Sequence, residues 1–137
     1  MDSELLEILV AFALTALSHY NLDSVPLPLL EEKPHPFFVE NVCGGIEKKC
    51  RGVVGWYNND GIIYINKNIP DTFKDEVVIH EVVHYVQDLS GIYDNDSCED
   101  SDYREKEAFR IQSKYMIEAK GKLLYTYGKN SQILCKK

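Results

Sequence analysis

Val77-Val78-Ile79-His80-Glu81-Val82-Val83-His84-Tyr85-Val86-Gln87 contains His-Glu-x-x-His inside an apolar run. On an α-helix, His80 and His84 are four residues apart and lie on one face, one turn apart. Two imidazoles so placed can share one metal ion. Glu81 can then serve a metal-bound water as general base. The flanks predict the helix. Pro70-Asp71-Thr72 opens it with Asp71 as N-cap, and Gly91 stops it. Val78, Ile79, Val82, Tyr85 and Val86 form an apolar back, while Glu76, His80, His84 and Gln87 point the other way. A histidine pair opposite the core is the arrangement an open metal site needs.

A catalytic zinc usually takes three protein ligands and keeps a fourth position for water. Only His19 and His35 remain among the histidines, and neither follows the motif at the short spacing that adds a third imidazole. The third ligand is therefore expected to be a carboxylate, with Glu105 and Glu107 as candidates on a third helix. Glu105 falls nearer the inward stripe of Ala108, Tyr115 and Ala119, and Glu107 falls roughly opposite, toward solvent. Glu105 is the choice. Its structural alternative is a capping box with Asp102. Asp94, Asp96, Asp100 and Glu105 also fit an EF-hand register, but Glu99 stands where that loop needs glycine. We read that match as coincidence within a solvated acidic loop.

Upstream, Val53-Val54-Gly55-Trp56-Tyr57 and Ile62-Ile63-Tyr64-Ile65-Asn66 flank Asn58-Asn59-Asp60-Gly61. Two β-prone runs around Asp-Gly predict a hairpin just before the central helix. Residues 3–19 read as a first helix, capped by Ser3, with a stripe of Leu5, Leu6, Leu9, Phe12, Ala13, Ala16 and Leu17. Pro26, Pro28, Pro34 and Pro36 make residues 24–42 extended or irregular, with short strands expected at 28–32 and 37–42. Residues 92–102 read as a loop, and the third helix runs from about Tyr103 to Lys120, stopped by Gly121. Leu123 to Tyr127 is a candidate short strand.

At 137 residues the chain is expected to be one domain, residues 1–137, with a real core. A net charge of −7 argues against nonspecific nucleic-acid binding. The span from Arg110 to Lys137 is basic and reads as a solvated end. Residues 5–17 are apolar but too short to span a bilayer, and the acidic start lacks the basic region of a signal peptide. The cytoplasm is therefore the favoured compartment. Cys43, Cys50, Cys98 and Cys135 permit two disulfides in three connectivities, a local Cys43–Cys50 bridge among them, with reduced thiols an equal alternative.

These features resemble the zincin metallopeptidases, specifically the glutamate-ligand group, the gluzincins. Val78 to His84 looks like their active-site helix. Glu105-Lys106-Glu107-Ala108 is similar to the start of their glutamate helix, where the first glutamate is the ligand. Phe109 stands where some of these families have Asp after the Ala. The resemblance covers residues 50–120, and the chain's size is similar to minimal gluzincins and the small ImmA/IrrE-type domains. It implies an α+β minimal zincin fold: a small antiparallel or mixed sheet, an N-terminal helix, the active-site helix and the glutamate helix. It implies one zinc ion per chain held by His80, His84 and Glu105, with Glu81 as catalytic base, in a hydrolase cutting peptide or protein substrates. Neither a nucleic acid nor a membrane is an expected partner. In the family, the strand before the active-site helix borders the cleft; here that place falls to residues 62–66. Tyr103, Tyr125 and Tyr127 are available to stabilise a transition state. The alternatives are a zinc-binding regulatory protein of the same fold with little turnover, and an interaction module in which the motif is incidental.

Overall fold

The computed structural model describes residues 1–94 and 96–121. The fold is α+β, with four α-helices and a three-stranded mixed sheet among the described residues. In chain order these are α1 (Ser3–Ala16), β1 (Leu29–Lys33), α2 (His35–Asn41), β2 (Gly55–Tyr57), β3 (Ile62–Asn66), α3 (Asp71–Ser90) and α4 (Cys98–Lys120). Single 3-10 turns occupy Ser18–Tyr20 and Glu47–Cys50.

The expected hairpin forms. β2 pairs antiparallel with β3, with Trp56 opposite Tyr64. Its turn uses Asn59 and Gly61 at positive φ, and Asp60 Oδ1 accepts from the Ile62 amide at 3.0 Å. The sheet order is β1-β3-β2, with β1 parallel to β3. β3 is therefore the middle strand. Its alternation splits the core in two, because successive side chains leave opposite faces. Ile63 and Ile65 pack with Leu6, Leu9, Val78, Ile79, Val82 and Ile111 under the helices. Tyr64 lies on the other face with Phe37, Trp56 and the buried Phe38.

α3 is the central element, touching α1, α4, β2 and β3. It and α4 run antiparallel, as their cross-links show: Asp75 meets Tyr115 and Lys120, while Gln87 meets Arg104. Tyr115 donates to Asp75 Oδ2 at 2.9 Å and Lys120 Nζ to Asp75 Oδ1 at 2.5 Å. This tether sets the register in which Glu105 arrives beside His80 and His84.

Several sequence expectations are corrected. Residues 37–42 are not a strand. Pro34 precedes and Pro36 lies within the first turn of α2, where a missing N–H and a fixed φ favour a helix start. α4 begins at Cys98, so the expected 92–102 loop is shorter. Ser97 is its cap, accepting from the Asp100 amide at 3.2 Å. Glu105 therefore sits inside the helix, and the Asp102 capping-box reading falls away. Asp2, not Ser3, caps α1, and α1 stops at Ala16. Glu107 is not solvent-facing but 3% exposed. The polar side of α3 is not open either: Glu76, His80, Glu81 and Gln87 are all buried, because α4 covers that side.

Cys43 and Cys50 form a disulfide, the local bridge among the alternatives, and Cys98 is disulfide-bonded too. The candidate strand at 123–127 and the tyrosines at 125 and 127 lie outside the described residues. Among the described residues, no helix is long and apolar enough to cross a membrane.

Candidate metal centre

His80 and His84 project from successive turns of α3 toward α4, where Glu105 lies between them. Glu105 Oε1 is in hydrogen-bond contact with His80 Nε2 and stands 3.4 Å from His84 Nε2. One ligand atom from each of the three residues lies within 4.8 Å of the other two. The imidazoles meet edge to face, with ring centroids 5.0 Å apart. Two imidazole nitrogens and one carboxylate oxygen are a donor set that suits zinc.

The back of each imidazole carries a further observation. His80 Nδ1 lies 2.8 Å from Gln112 Oε1, and His84 Nδ1 lies 2.8 Å from Gln87 Oε1. Each glutamine is oriented by its other end. Gln112 Nε2 donates to the Glu76 carboxylate at 3.1 Å. Gln87 Nε2 donates to the Arg104 carbonyl at 3.1 Å and to Glu107 Oε1 at 3.0 Å. Carbonyls and carboxylates only accept, so the glutamine oxygens must face the imidazoles. Both Nδ1 atoms therefore donate, and in the neutral rings both Nε2 lone pairs face Glu105. Metal-ligating histidines usually have their other nitrogen fixed in this way. Phe109 packs its ring edge-to-face on His80 at 4.4 Å, and the buried Gln112–Glu76 pair holds Nδ1.

Removing either relay tests this orientation. Gln112→Leu and Gln87→Leu should each weaken zinc binding by roughly 10- to 100-fold, as loss of such outer partners typically does. Competition against a chromogenic chelator measures it, and unchanged affinity in both variants would contradict the assignment.

Electrostatically the cluster is poised for a cation. Burial resists charge on Glu105, yet hydrogen bonds from His80 and His84 outweigh it and hold the carboxyl far below the ordinary range. Burial likewise opposes charge on His84, but the Glu105 and Glu81 carboxylates prevail and raise it to about 9. Burial pushes the Glu81 carboxyl up, Glu105 adds to this, and the two histidines act against it.

Glu81 lines the same cleft as His80, His84 and Glu105. Among the described residues its carboxylate accepts no hydrogen bond, so its oxygens are available to a substrate or water. Its neighbour is β2. A Cβ on Gly55 would lie 2.9 Å from Val77 Cγ1, 3.1 Å from Glu81 Cγ and 3.2 Å from Glu81 Oε2. Gly55 therefore sets the close approach of strand to helix, a role glycine fills because it has no side chain. Gly55→Ala should push Glu81 or β2 aside and lower any hydrolysis at this cleft by up to about 100-fold, the scale of effect that an ångström of misplacement can have. Its zinc content should stay at the wild-type level; wild-type turnover in this variant would show that the approach does not matter.

The cleft has a volume of about 750 Å³. Its walls come from residues 42–57 on one side and from Ser101, Arg104 and Glu105 of α4 on the other. β3 does not border it as expected: both of its edges are paired, and the strand at the cleft is β2, which among the described residues pairs on one edge only. Tyr103 donates to Glu107 Oε2 at 3.3 Å, a position away from the cleft lining. Sequence reasoning missed Gln112 and Arg104. A signal for Gln112 existed: it lies seven residues, two helical turns, beyond Glu105 and so on the same face. No family model, curated protein or solved structure matches this chain.

Proposed function

We propose that this chain is a small zinc-dependent peptidase of the gluzincin type, binding one zinc ion through His80, His84 and Glu105. The observation that carries this reading is the convergence of both Nε2 atoms on Glu105, with both Nδ1 atoms held from behind by Gln87 and Gln112. Structural zinc sites have four protein ligands, whereas among the described residues this group offers three beside a cleft. That favours a catalytic centre over a purely structural one.

Zinc supplies Lewis-acid polarisation of a carbonyl and lowers the pKa of water to about 7. The chain's own residues do the rest. Glu81 takes the proton of the attacking water on a carboxylate oxygen and passes it to the leaving amine. Gln87 and Gln112 keep both imidazoles in one tautomer and one orientation. An extended peptide would pair with the edge of β2 that has no partner among the described residues, where Gly55 lies against Glu81.

The cysteines bear on the compartment. Disulfides persist chiefly where the surroundings are oxidising. The Cys43–Cys50 bridge and the oxidised Cys98 therefore favour an oxidising compartment over the cytoplasmic expectation.

The test is zinc-dependent hydrolysis of an unfolded protein such as reduced, alkylated casein. We expect one zinc per chain and cleavage that chelation abolishes and zinc restores. Zinc retention without cleavage of casein or peptide pools would instead favour the regulatory reading. Absence of bound zinc would overturn both.

A further inference from the structure

β2 presents two faces. Gly55 and Tyr57 lie on the α3 side, Gly55 against Val77 and Glu81, and Tyr57 edge-to-face with Tyr85 at 5.8 Å. Trp56, between them, lies on the opposite side of the sheet with Phe37, Phe38 and Tyr64. It is the chain's single tryptophan. A peptide laid along the edge of β2 would divide in the same way, because successive side chains of a strand leave opposite faces. Side chains of one parity would stand over Glu81. Those of the other parity would point away from α3, toward Trp56.

On that side the cleft is lined by Val42, Ile46, Val53 and Trp56. Ile46 is 46% exposed and the other three are half-buried, so each keeps surface that water reaches. A single exposed isoleucine is ordinary. Four apolar side chains lining the cleft that also holds the metal centre make a place for an apolar ligand group. The wall is firmly held. Trp56 stacks on Tyr64 at 5.5 Å and is braced by Phe37 at 6.2 Å. Ile46 stands on a loop closed by the Cys43–Cys50 bridge. In that loop the Gly45 amide donates to the Val39 carbonyl at 2.7 Å, and Glu47 pairs with His35 at 2.9 Å. A surface ordered in advance loses little freedom when a side chain settles on it.

We propose that Trp56, with Val42, Ile46 and Val53, forms a subsite for a large apolar side chain of the substrate, aromatic above all, on the peptide face turned away from α3. Gly55, which sets β2 against Glu81, is the residue next to Trp56. A strand rises only about 3.3 Å per residue, so the selected side chain belongs to a residue within about two positions of the scissile bond. Aromatic groups suit the site because ring pairs gain from offset or edge-to-face contact beyond the area they bury. The proposal rests on the peptidase reading, which supplies the peptide and its scissile bond.

Binding to the Glu81→Gln protein, supplied with zinc, keeps the two readings apart, because it is measured without turnover. The probes are amidated octapeptide pools free of tryptophan. Ser, Gly, Ala and Gln occupy the random positions, and Phe, Ala or Glu is fixed at a central one. Labelled with fluorescein, the Phe pool should bind roughly tenfold more tightly than the Ala pool, the scale of partly burying one large apolar side chain. Unlabelled, the Phe pool should shift the Trp56 emission to shorter wavelength as the ring leaves water, and the Ala pool should shift it far less. Ile46→Ser, at an exposed position, should at least halve the Phe-to-Ala ratio. Ile46→Ser with Trp56→Leu should bring it to about one with zinc content kept, and the single variant decides the matter if the double one does not fold. Because Lys49 and Arg51 also line the cleft, the Glu pool serves as the competing case. Tightest binding of the Glu pool, equal binding of the Phe and Ala pools, or no binding of any pool would overturn the proposal. So would a Phe preference that survives Ile46→Ser or leaves the Trp56 emission unmoved. Failure of the wild-type protein to cleave any pool would instead count against the peptidase reading and leave the binding ratio readable.

Discussion

Glu105→Ala should reduce zinc affinity by more than about 100-fold, whereas Glu107→Ala should reduce it by about 10-fold and cost stability instead. The two glutamates lie two residues apart on α4 and face different surroundings. Glu105 reaches both Nε2 atoms, so its loss removes a ligand, a larger change than losing an outer partner. Glu107 is buried and gathers Tyr20, Gln87 and Tyr103, with His19 and Arg110 each 3.5 Å away. Deleting it leaves several donors without an acceptor in a closed space, at about 1–3 kcal/mol for each one not rescued by water. It also frees one end of Gln87, which accounts for the smaller effect on zinc. Chelator competition and urea unfolding of the metal-free proteins separate the two effects. A zinc loss as large in Glu107→Ala as in Glu105→Ala would move the third ligand.

Glu81→Gln should keep one zinc per chain and lower kcat by about 10²- to 10⁴-fold, the usual contribution of a positioned base. The substitution preserves shape and leaves the Gly55 approach undisturbed. It removes the ability to accept a proton, along with the negative charge. Glu81 is not one of the three grouped ligands, and the Nδ1 atoms are held by Gln112 and Gln87, so zinc content should not follow activity down. Wild-type turnover in this variant would require another base. Among the described cleft residues the carboxylates are Glu81 and Glu105 alone.

The parts of the fold that were legible in the sequence rest on local chemistry. Asp60-Gly61 between β-prone runs gives the hairpin, and the 3.6-residue stripe with Gly91 gives α3. The four-residue spacing of His80 and His84 puts both imidazoles on one side of that helix. The position of Glu105 beside the histidines was reachable because it needed only the angular position of two residues around α4. Angle alone failed for Glu107. It lies off the main stripe, but Tyr20 and Tyr93 reach over it from beyond α4 and bury it. Such cover comes from chain segments 14 and 87 residues away from it or more, and leaves no periodic trace. The parallel pairing of β1 with β3 is non-local in the same sense. α2 was lost for a different reason: prolines before and at the start of a helix look the same as prolines in an extended chain, and the decision falls to Phe38, which is fully buried. At the centre, Gln87 was correctly placed on the polar side of α3. Its function was hidden because an amide's role depends on what its two ends meet.

The most direct test of the account is an anomalous difference map from crystals grown with zinc, recorded on both sides of the zinc absorption edge. The account predicts one strong peak per chain, within bonding distance of His80 Nε2, His84 Nε2 and a Glu105 oxygen, with Glu81 outside the ligand set. A map with no peak there, or with zinc bound through Nδ1 or through Glu107, would contradict it.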